Sequence, residues 1–172
     1  MLPARIFLIG FRGSGKTTIA HLLAEQLDYD WADSDALVQE QAGKTIAQIF
    51  ADDGELAFRD LEAAVVSHLC TRSNCVIALG GGSVLREKTR QLLAHAGPVI
   101  WLEAPADVLY ARIAADDVTA AQRPNLTDSG GQQEVDQLLA ARGPVYESCA
   151  THRIETAGKT PAEVVQCAIS LL

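Results

Sequence analysis

Five short segments along the chain are predicted to be strands, three of them mainly apolar, and segments with helical spacing separate them. The first run, residues 5–9, is apolar except for its first residue, which is typical of a strand buried in a parallel sheet. The predicted strands lie at residues 5–9, 31–35, 74–79, 99–102 and 152–155. This alternation of strands and helices is that of an α/β protein.

Several predicted helices have recognisable ends. Ser34 or Asp35 is predicted to cap the helix after the second strand. A later helix over residues 134–142 is expected to be broken or kinked by Gly143-Pro144, because proline lacks a backbone N–H. The last helix is predicted to begin at Thr160, which is followed by proline and, three residues on, by the glutamate of a capping box.

A phosphate loop follows the first strand, where the pattern G-x-x-x-x-G-K-[ST] is matched by Gly10-Phe11-Arg12-Gly13-Ser14-Gly15-Lys16-Thr17. Its glycines let backbone N–H groups approach an anion closely, and the start of the following helix favours phosphate. Lys16 offers a mobile charge to the terminal phosphates, and Thr17 offers a hydroxyl to Mg²⁺. The order of strand, loop and helix favours this interpretation over an ordinary glycine-rich turn.

Two carboxylates, Asp33 and Asp35, follow the second predicted strand. Ligands of open α/β sheets collect beyond the carboxyl ends of the strands, so both side chains are expected beside the phosphate loop. We predict that Asp33 lies near the magnesium shell and that Asp35 faces a second substrate. The strand at 74–79 has no aspartate at its end, which strengthens the assignment of Asp33. The alternative is that both residues only cap a helix and add solubility.

Arg59 shares a predicted helix face with Glu55 and Glu62, at spacings of four and three residues. These residues form either surface ion pairs of small value or an arginine held by a carboxylate and aimed at an anionic substrate. The run Gly80-Gly81-Gly82 follows the third strand and lets a ligand lie against exposed N–H groups. Three successive glycines favour that interpretation over a flexible turn.

Residues at about 116–131 are polar and show no hydrophobic periodicity. A loop of this length within a compact domain is usually functional or disordered, and we interpret it as a lid. Arg123 is predicted to reach the phosphates when the lid closes and excludes water. Arg142, in the following helix, is either a partner of the helix dipole or an inward-facing anion ligand.

The length, charge and composition of the chain limit the classes of protein to which it can belong. The 172 residues suit a single domain, 1–172, and the net charge of −8 argues against general nucleic-acid binding. No apolar run approaches the roughly 20 residues that cross a membrane, and the first residues lack the pattern of a signal peptide, so we expect a cytosolic protein. The four cysteines show no metal spacing with histidine and are predicted to be reduced and structural.

Taken together, these features resemble the shikimate kinase family over essentially the whole chain. The resemblance rests on the phosphate loop, Asp33-Ser34-Asp35, Gly54-Glu55-x-x-Phe58-Arg59-x-x-Glu62, the glycine run, Arg123-Pro124 and Arg142-x-Pro144-x-Tyr146. It implies a three-layer α/β/α fold with a five-stranded parallel sheet in the order 2-3-1-4-5. It also implies a monomer that transfers a phosphoryl group from ATP to the 3-hydroxyl of shikimate in aromatic amino-acid biosynthesis, with substrate-binding helices at about 34–62.

The same resemblance implies roles for individual residues. Asp35, Lys16 and Arg123 would be catalytic, and Thr17 and Asp33 would bind Mg²⁺. The residues implied to bind ATP are Gly13, Ser14, Gly15, Lys16, Thr17, Thr18, Arg112, Arg123 and Arg153. The residues implied to bind shikimate are Asp35, Arg59, Gly80, Gly81, Gly82 and Arg142, with Glu62 orienting Arg59.

Two rival interpretations remain. Another small-molecule kinase, such as a gluconate kinase, shares the phosphate loop and an acidic residue after the second strand. It does not need the glycine run together with both substrate arginines. A nucleotide-binding regulatory module without catalysis is disfavoured by the presence of Lys16, Thr17, Asp33 and Asp35. ATP consumption with shikimate, with gluconate and with neither distinguishes the three.

Overall fold

A single five-stranded sheet lies at the centre of the protein, whose computed structural model describes residues 2–115 and 131–172. The strands are β1 (Arg5–Ile9), β2 (Asp30–Asp33), β3 (Cys75–Ala78), β4 (Val99–Glu103) and β5 (His152–Glu155). Their order is β2-β3-β1-β4-β5, and every neighbouring pair is parallel. The predicted fold and strand order are confirmed.

Helices cover both faces of the sheet. In the described residues they are α1 (Lys16–Leu27), α2 (Ser34–Ala42), α3 (Ile46–Asp52), α4 (Gly54–Leu69), α5 (Glu87–Leu93), α6 (Ala106–Ala114), α7 (Gly131–Cys149) and α8 (Pro161–Ser170). The predicted capping box at the start of α8 is confirmed, because the Thr160 side chain and Glu163 satisfy each other's backbone N–H groups. None of these helices combines the length and the apolar character needed to cross a bilayer.

The sheet separates two hydrophobic cores, and its central strand β1 contributes side chains to both. Successive side chains of a strand point to opposite faces, so Phe7 and Ile9 pack with the helices on one side, while Ile6 and Leu8 pack on the other. The first core includes residues of α2, α4, α6 and α7, and the second includes residues of α1 and α8. The three central strands, β3, β1 and β4, are therefore buried on both faces, as their continuous apolar sequences predict, whereas the edge strands β2 and β5 are partly exposed.

The register of the sheet brings three loops to one edge. Leu8 and Asp33 both pair with Ala78, so β1, β2 and β3 end at nearly the same level. The segments that follow these strands are the phosphate loop, the start of α2 and the glycine run. They meet at the carboxyl edge of the sheet, where a ligand site is expected.

Helix α2 begins differently from our prediction. Its N-cap is Asp33, whose Oδ1 accepts hydrogen bonds from the N–H groups of Asp35 at 2.9 Å and Ala36 at 3.3 Å. The prediction that Ser34 or Asp35 caps this helix was wrong. Strand β2 ends at Asp33 and leaves it extended, with φ −115° and ψ 121°, which is the conformation that an N-cap requires.

Helix α7 also departs from the prediction, because it continues through Pro144 to Cys149. The expected break at Gly143-Pro144 was therefore wrong, and the alternative, a kink at this point, stays a prediction. Proline removes one backbone hydrogen bond, but the turn beyond it is anchored by tertiary contacts. Tyr146 is fully buried, and its hydroxyl donates a hydrogen bond of 2.6 Å to the Gly81 carbonyl.

Candidate active site

The phosphate loop has the backbone that its glycines predict. Gly10, Gly13 and Gly15 have φ values of 140°, 80° and 91°, in the region that favours glycine. Space is also restricted, because a Cβ at Gly10 would lie 2.4 Å from the Leu102 carbonyl oxygen. The loop therefore requires glycine for both conformation and packing, and it leads directly into α1.

A cavity of about 280 Å³ lies against this loop. Lys16 lines it, and its Nζ donates hydrogen bonds of 2.9 Å to the carbonyls of Gly10 and Phe11. The Ser14 hydroxyl is buried, without a hydrogen-bond partner in the described ranges. The full lining is Arg12, Gly13, Gly15, Lys16, Thr17, Thr18, Asp33, Asp35, Leu79, Gly81, Arg112 and Ile113. The cavity thus brings the phosphate loop together with Asp33, Asp35 and the glycine run.

Thr17 and Asp33 meet at the wall of this cavity. The Thr17 hydroxyl donates a 2.6 Å hydrogen bond to Asp33 Oδ2, while Oδ1 of the same carboxylate caps α2. A hydroxyl and a carboxylate are hard oxygen donors, which suit Mg²⁺, and this ion usually keeps several waters and takes only one or two protein ligands. No larger cluster of metal-binding side chains occurs within residues 2–115 and 131–172. The donor set fits the predicted magnesium site.

The glycine run, residues 80–82, makes room for two side chains of the candidate site. A Cβ at Gly80 would lie 2.2 Å from Asp35 Oδ1, and a Cβ at Gly82 would lie 2.6 Å from Arg59 Nη1. Real Cβ atoms essentially never come that close to another heavy atom. The sequence analysis explained these glycines by contact between a ligand and the backbone. The structure gives a further reason, which is that Asp35 and Arg59 occupy the space that side chains would need.

Arg59 is held by acidic neighbours on its own helix. Its Nη1 lies 2.8 Å from Glu62 Oε2, and its Nε lies 3.5 Å from Glu55 Oε1. Glu62 is buried and accepts a second hydrogen bond of 2.8 Å from the Ser83 hydroxyl. Burial raises the pKa of Glu62 above its ordinary value, and the Arg59 charge offsets this increase only in part. The Arg59–Glu62 pair is therefore a buried contact and not one of the surface pairs that the sequence left open.

Arg142 lies on α7, close to both loops of the site. Its guanidinium group is 5.7 Å from the centroid of the buried Phe11 ring, within the phosphate loop. Its charge also acts on the hydroxyl of Tyr146, which contacts the glycine run. Of the two alternatives for Arg142, the inward-facing one agrees with this position. Neither Arg59 nor Arg142 lines the 280 Å³ cavity itself. Arg59 lies against Gly82, and Arg142 is connected to the run through Tyr146.

Arg112 connects the phosphate loop to the segment after β5. Its Nη1 donates to Thr156 Oγ1 at 3.0 Å and to the Gly13 carbonyl at 3.4 Å, and its Nη2 donates to the Thr156 carbonyl at 3.0 Å. A second cavity, of about 270 Å³, lies behind the loop between α1 and α8. Its lining includes Arg112, Thr18, Thr156 and Lys159.

Arg153, which was predicted to lie near the nucleotide, has other contacts in the structure. Arg153 pairs with Glu103 and stacks over Trp101, with its guanidinium carbon 5.0 Å from the ring centroid. It does not line either cavity in the described part of the chain. Arg123, with residues 116–130 of the predicted lid, lies outside the described residues.

Sequence reasoning missed several residues that the fold places at the site. Arg12 lines the main cavity, and Thr156 and Lys159 line the second. Arg12 occupies an unspecified position of the phosphate-loop pattern, so the motif gives it no role. Thr156 and Lys159 follow the last strand of the sheet, and the rule that ligands gather beyond strand ends could have found them.

A family model for shikimate kinase matches residues 12–172. The chain belongs to the shikimate kinase family. The shikimate kinase of Rhodopirellula baltica is 43% identical over 163 residues, which cover 95% of this chain and 87% of that protein. The shikimate kinase of Symbiobacterium thermophilum is 42% identical over 160 residues, covering 93% and 91% of the two proteins.

Solved structures agree with this assignment. A structure of the shikimate kinase from Acinetobacter baumannii in complex with shikimate matches with a TM-score of 0.91 and 32% identity, covering 98% of this chain and 92% of that one. A gluconokinase from Sinorhizobium meliloti matches with a TM-score of 0.59 and 23% identity, covering 98% and 90%. That second likeness shows the fold alone. The predicted shikimate kinase family is confirmed.

Proposed function

We propose that this protein transfers the γ-phosphoryl group of ATP to the 3-hydroxyl of shikimate, giving shikimate 3-phosphate and ADP. One observation carries the proposal. A single cavity is lined at one end by the phosphate loop and at the other by Asp35 and Gly81, next to the Arg59 guanidinium. An anionic nucleotide tail and a small hydroxylated acid can therefore meet within one site.

The nucleotide end consists of the loop N–H groups, Lys16 and Thr18. Backbone N–H groups at the start of a helix and a lysine charge favour the phosphates of ATP. We assign the base of the nucleotide to the second cavity, where Arg112 is fixed between Gly13 and Thr156. The role of Arg153 near the base stays a prediction, because its contacts in the structure are with Glu103 and Trp101.

Thr17 and Asp33 are the residues that would hold Mg²⁺. When bound beside phosphates, this ion supplies positive charge that stabilises the oxygens of the transferred group. The chain's own contribution is to keep the hydroxyl and the carboxylate 2.6 Å apart at the start of α1. Because Asp33 is also tied to the first turn of α2, its direction is fixed from both sides.

The acid substrate is proposed to lie against Asp35, the glycine run, Arg59 and Arg142. A planar guanidinium group matches a carboxylate with two parallel hydrogen bonds, which a lysine ammonium cannot do. Glu62 keeps Arg59 in place through a 2.8 Å contact, so less freedom is lost when the acid binds. Two such arginines orient a small ring so that one hydroxyl points at phosphorus.

Asp35 is proposed to hold the reacting hydroxyl and to take up its proton as the new O–P bond forms. Phosphoryl transfer passes through a loose transition state, in which alignment and charge stabilisation matter more than a strong base. The carboxylate is almost fully buried, and the absence of a side chain at Gly80 gives it room. Positioning of this kind supplies several kcal/mol of the catalytic effect.

The test is ADP formation from ATP with shikimate, with gluconate and with neither. We expect turnover with shikimate alone, and a product that mass spectrometry and phosphorus NMR identify as shikimate 3-phosphate. Turnover with gluconate in preference to shikimate would overturn the assigned substrate. ATP binding without turnover on either acid would instead favour a regulatory module. The single domain, the monomeric state, the cytosolic location and the lid with Arg123 stay predictions.

A further inference from the structure

The glycine run is held between two buried hydroxyl groups from different helices. On one side, the Gly80 N–H donates a 2.9 Å hydrogen bond to Ser34 Oγ, in the first turn of α2. On the other side, Tyr146 on α7 donates a 2.6 Å hydrogen bond to the Gly81 carbonyl. Both side chains are fully buried, so the two bonds are shielded from competing water.

The surroundings of Tyr146 fix this side chain firmly. Its ring packs on Trp101 with 5.8 Å between the centroids, and Arg142 lies one helical turn earlier. Burial raises the pKa of the Tyr146 phenol from its ordinary value of 10.0, and the Arg142 charge lowers it only in part. The hydroxyl therefore stays protonated near neutral pH and keeps its role as a donor.

Holding one carbonyl of the run also determines the direction of the next N–H group. The peptide unit that joins Gly81 to Gly82 is planar and trans, so its C=O and N–H groups point in opposite directions. Neither Gly81 nor Gly82 uses its N–H in a hydrogen bond within the described residues. With the Gly81 carbonyl turned toward Tyr146, the Gly82 N–H is directed away from it. A 3.0 Å hydrogen bond from the Ser83 N–H to the Gly80 carbonyl closes a turn around these two glycines. Glycines allow the central peptide unit of such a turn to point in either of two directions, and the bond to Tyr146 selects one of them.

We propose that Tyr146, with Ser34 opposite it, is a positioning residue for the acid substrate. Tyr146 sets the orientation of the Gly81–Gly82 peptide unit. Through its place on α7, it also sets the spacing between that peptide unit and Arg142. This role rests on the proposed function, because it concerns the same acid-binding end of the site. The proposed role adds Tyr146 to the site as a residue that does not contact the substrate and acts through the glycine run.

The test compares two Tyr→Phe variants, each of which loses a hydrogen bond from its hydroxyl to a backbone carbonyl. Tyr146→Phe removes the hydroxyl but keeps the ring, so the fold is expected to remain. Tyr29→Phe is the matched control, because its hydroxyl also donates to a backbone carbonyl, that of Pro3 at 3.1 Å, and lines neither cavity. Losing one buried hydrogen bond predicts a rise in KM for shikimate of about five- to tenfold for Tyr146→Phe. The KM for ATP should stay within about twofold, and Tyr29→Phe should change neither KM.

The kinetic results distinguish a failure of the positioning role from a failure of the proposed function. A Tyr146→Phe enzyme with an unchanged KM for shikimate, or with both KM values raised equally, would overturn the positioning role. Wild-type protein that forms no ADP in the presence of shikimate would refute the proposed function instead. If Tyr146→Phe does not fold, as judged by circular dichroism, Ser34→Ala releases the run from the other side. That variant is expected to show the same selective rise, and an unchanged KM would again contradict the proposal.

Discussion

Adding one methyl group at Gly80 is expected to disable catalysis without unfolding the protein. A Cβ at this position would lie 2.2 Å from Asp35 Oδ1 and 3.1 Å from Asp35 Cγ. Contacts below 3.0 Å are essentially not observed for real Cβ atoms, so the carboxylate must move by about 0.8 Å or more. Asp35 has a short side chain and is almost fully buried, which leaves it few other positions.

The size of the effect follows from this displacement. Misplacing a catalytic group by about 1 Å costs on the order of a hundredfold in rate. We therefore expect Gly80→Ala to lower kcat about a hundredfold, which corresponds to about 2.7 kcal/mol in activation free energy. The assay is steady-state ADP release at saturating shikimate and ATP, with circular dichroism and the melting temperature as checks on the fold.

Gly143→Ala is the matched control for this substitution. Gly143 lies within α7, and apart from its two chain neighbours and the nearby backbone of this helix, no heavy atom would lie within 4 Å of a Cβ there. Its kinetics should equal those of the wild type. Its stability should change by less than about 1 kcal/mol, because the contact of the new Cβ with the ring of Pro144 opposes the better helix-forming tendency of alanine. A folded Gly80→Ala enzyme whose kcat stays within about threefold of wild type would refute the reasoning. Asp35 would then not act from the position described.

The remaining predictions concern both ends of the site. Lys16→Met should lower turnover by at least about a hundredfold with an unchanged circular dichroism spectrum, and retained turnover would end the phosphate-loop assignment. Gly82→Ala and Arg59→Lys should each raise the KM for shikimate about tenfold and leave that for ATP unchanged, and equal effects on both constants would remove the role of Arg59. Because the pKa of Glu62 is raised in the folded state, protonation of Glu62 stabilises the fold. This contribution to the free energy of unfolding is fully present below pH 4.5, the ordinary pKa of the group, and is lost as pH rises through the folded-state pKa. The melting-temperature difference between wild type and Glu62→Gln should therefore fall as pH rises above 4.5, whereas a constant difference would contradict the assigned environment.

The order of elements and the phosphate loop could be predicted because their signals are local. The strand at 5–9, the glycines that follow it and the helix after them are adjacent in sequence. The capping box at Thr160 depends on one helical turn and was also predicted correctly. Such patterns predict the structure correctly because all the residues that determine it lie within a few positions of one another, and no distant contact is needed to choose between alternatives.

The start of α2 was harder to predict because three neighbouring residues are all capable caps. The choice among Asp33, Ser34 and Asp35 depends on where β2 stops, and β3 determines that point through the pairing of Asp33 with Ala78. Once Asp33 is the cap, Ser34 is buried against the Gly80 N–H. The end of α7 illustrates the same limit, because proline predicts a break from local chemistry while the distant Gly81 carbonyl holds the continuing turn in place.

The sequence predicts which residues form the candidate site but not how they are arranged. The sequence indicates that Arg59 and the glycine run have a function, yet it gives no sign that Gly82 makes room for the arginine. The burial of Glu62 and its bond to Ser83 also depend on how α4 packs beside the run. Contacts between residues about 20 positions apart are set by tertiary packing, which helical spacing alone does not show.

The double use of one carboxylate limits how this enzyme can be altered. Asp33 accepts the Thr17 hydroxyl through Oδ2 and begins α2 through Oδ1. An engineer who rebuilt α2 for a different acid would therefore also disturb Thr17 and Asp33, the proposed magnesium-binding pair of the nucleotide site. Redesigns that keep Asp33 and change residues from the second turn of α2 onward leave that link intact, so substrate choice can be varied without giving up the phosphate donor.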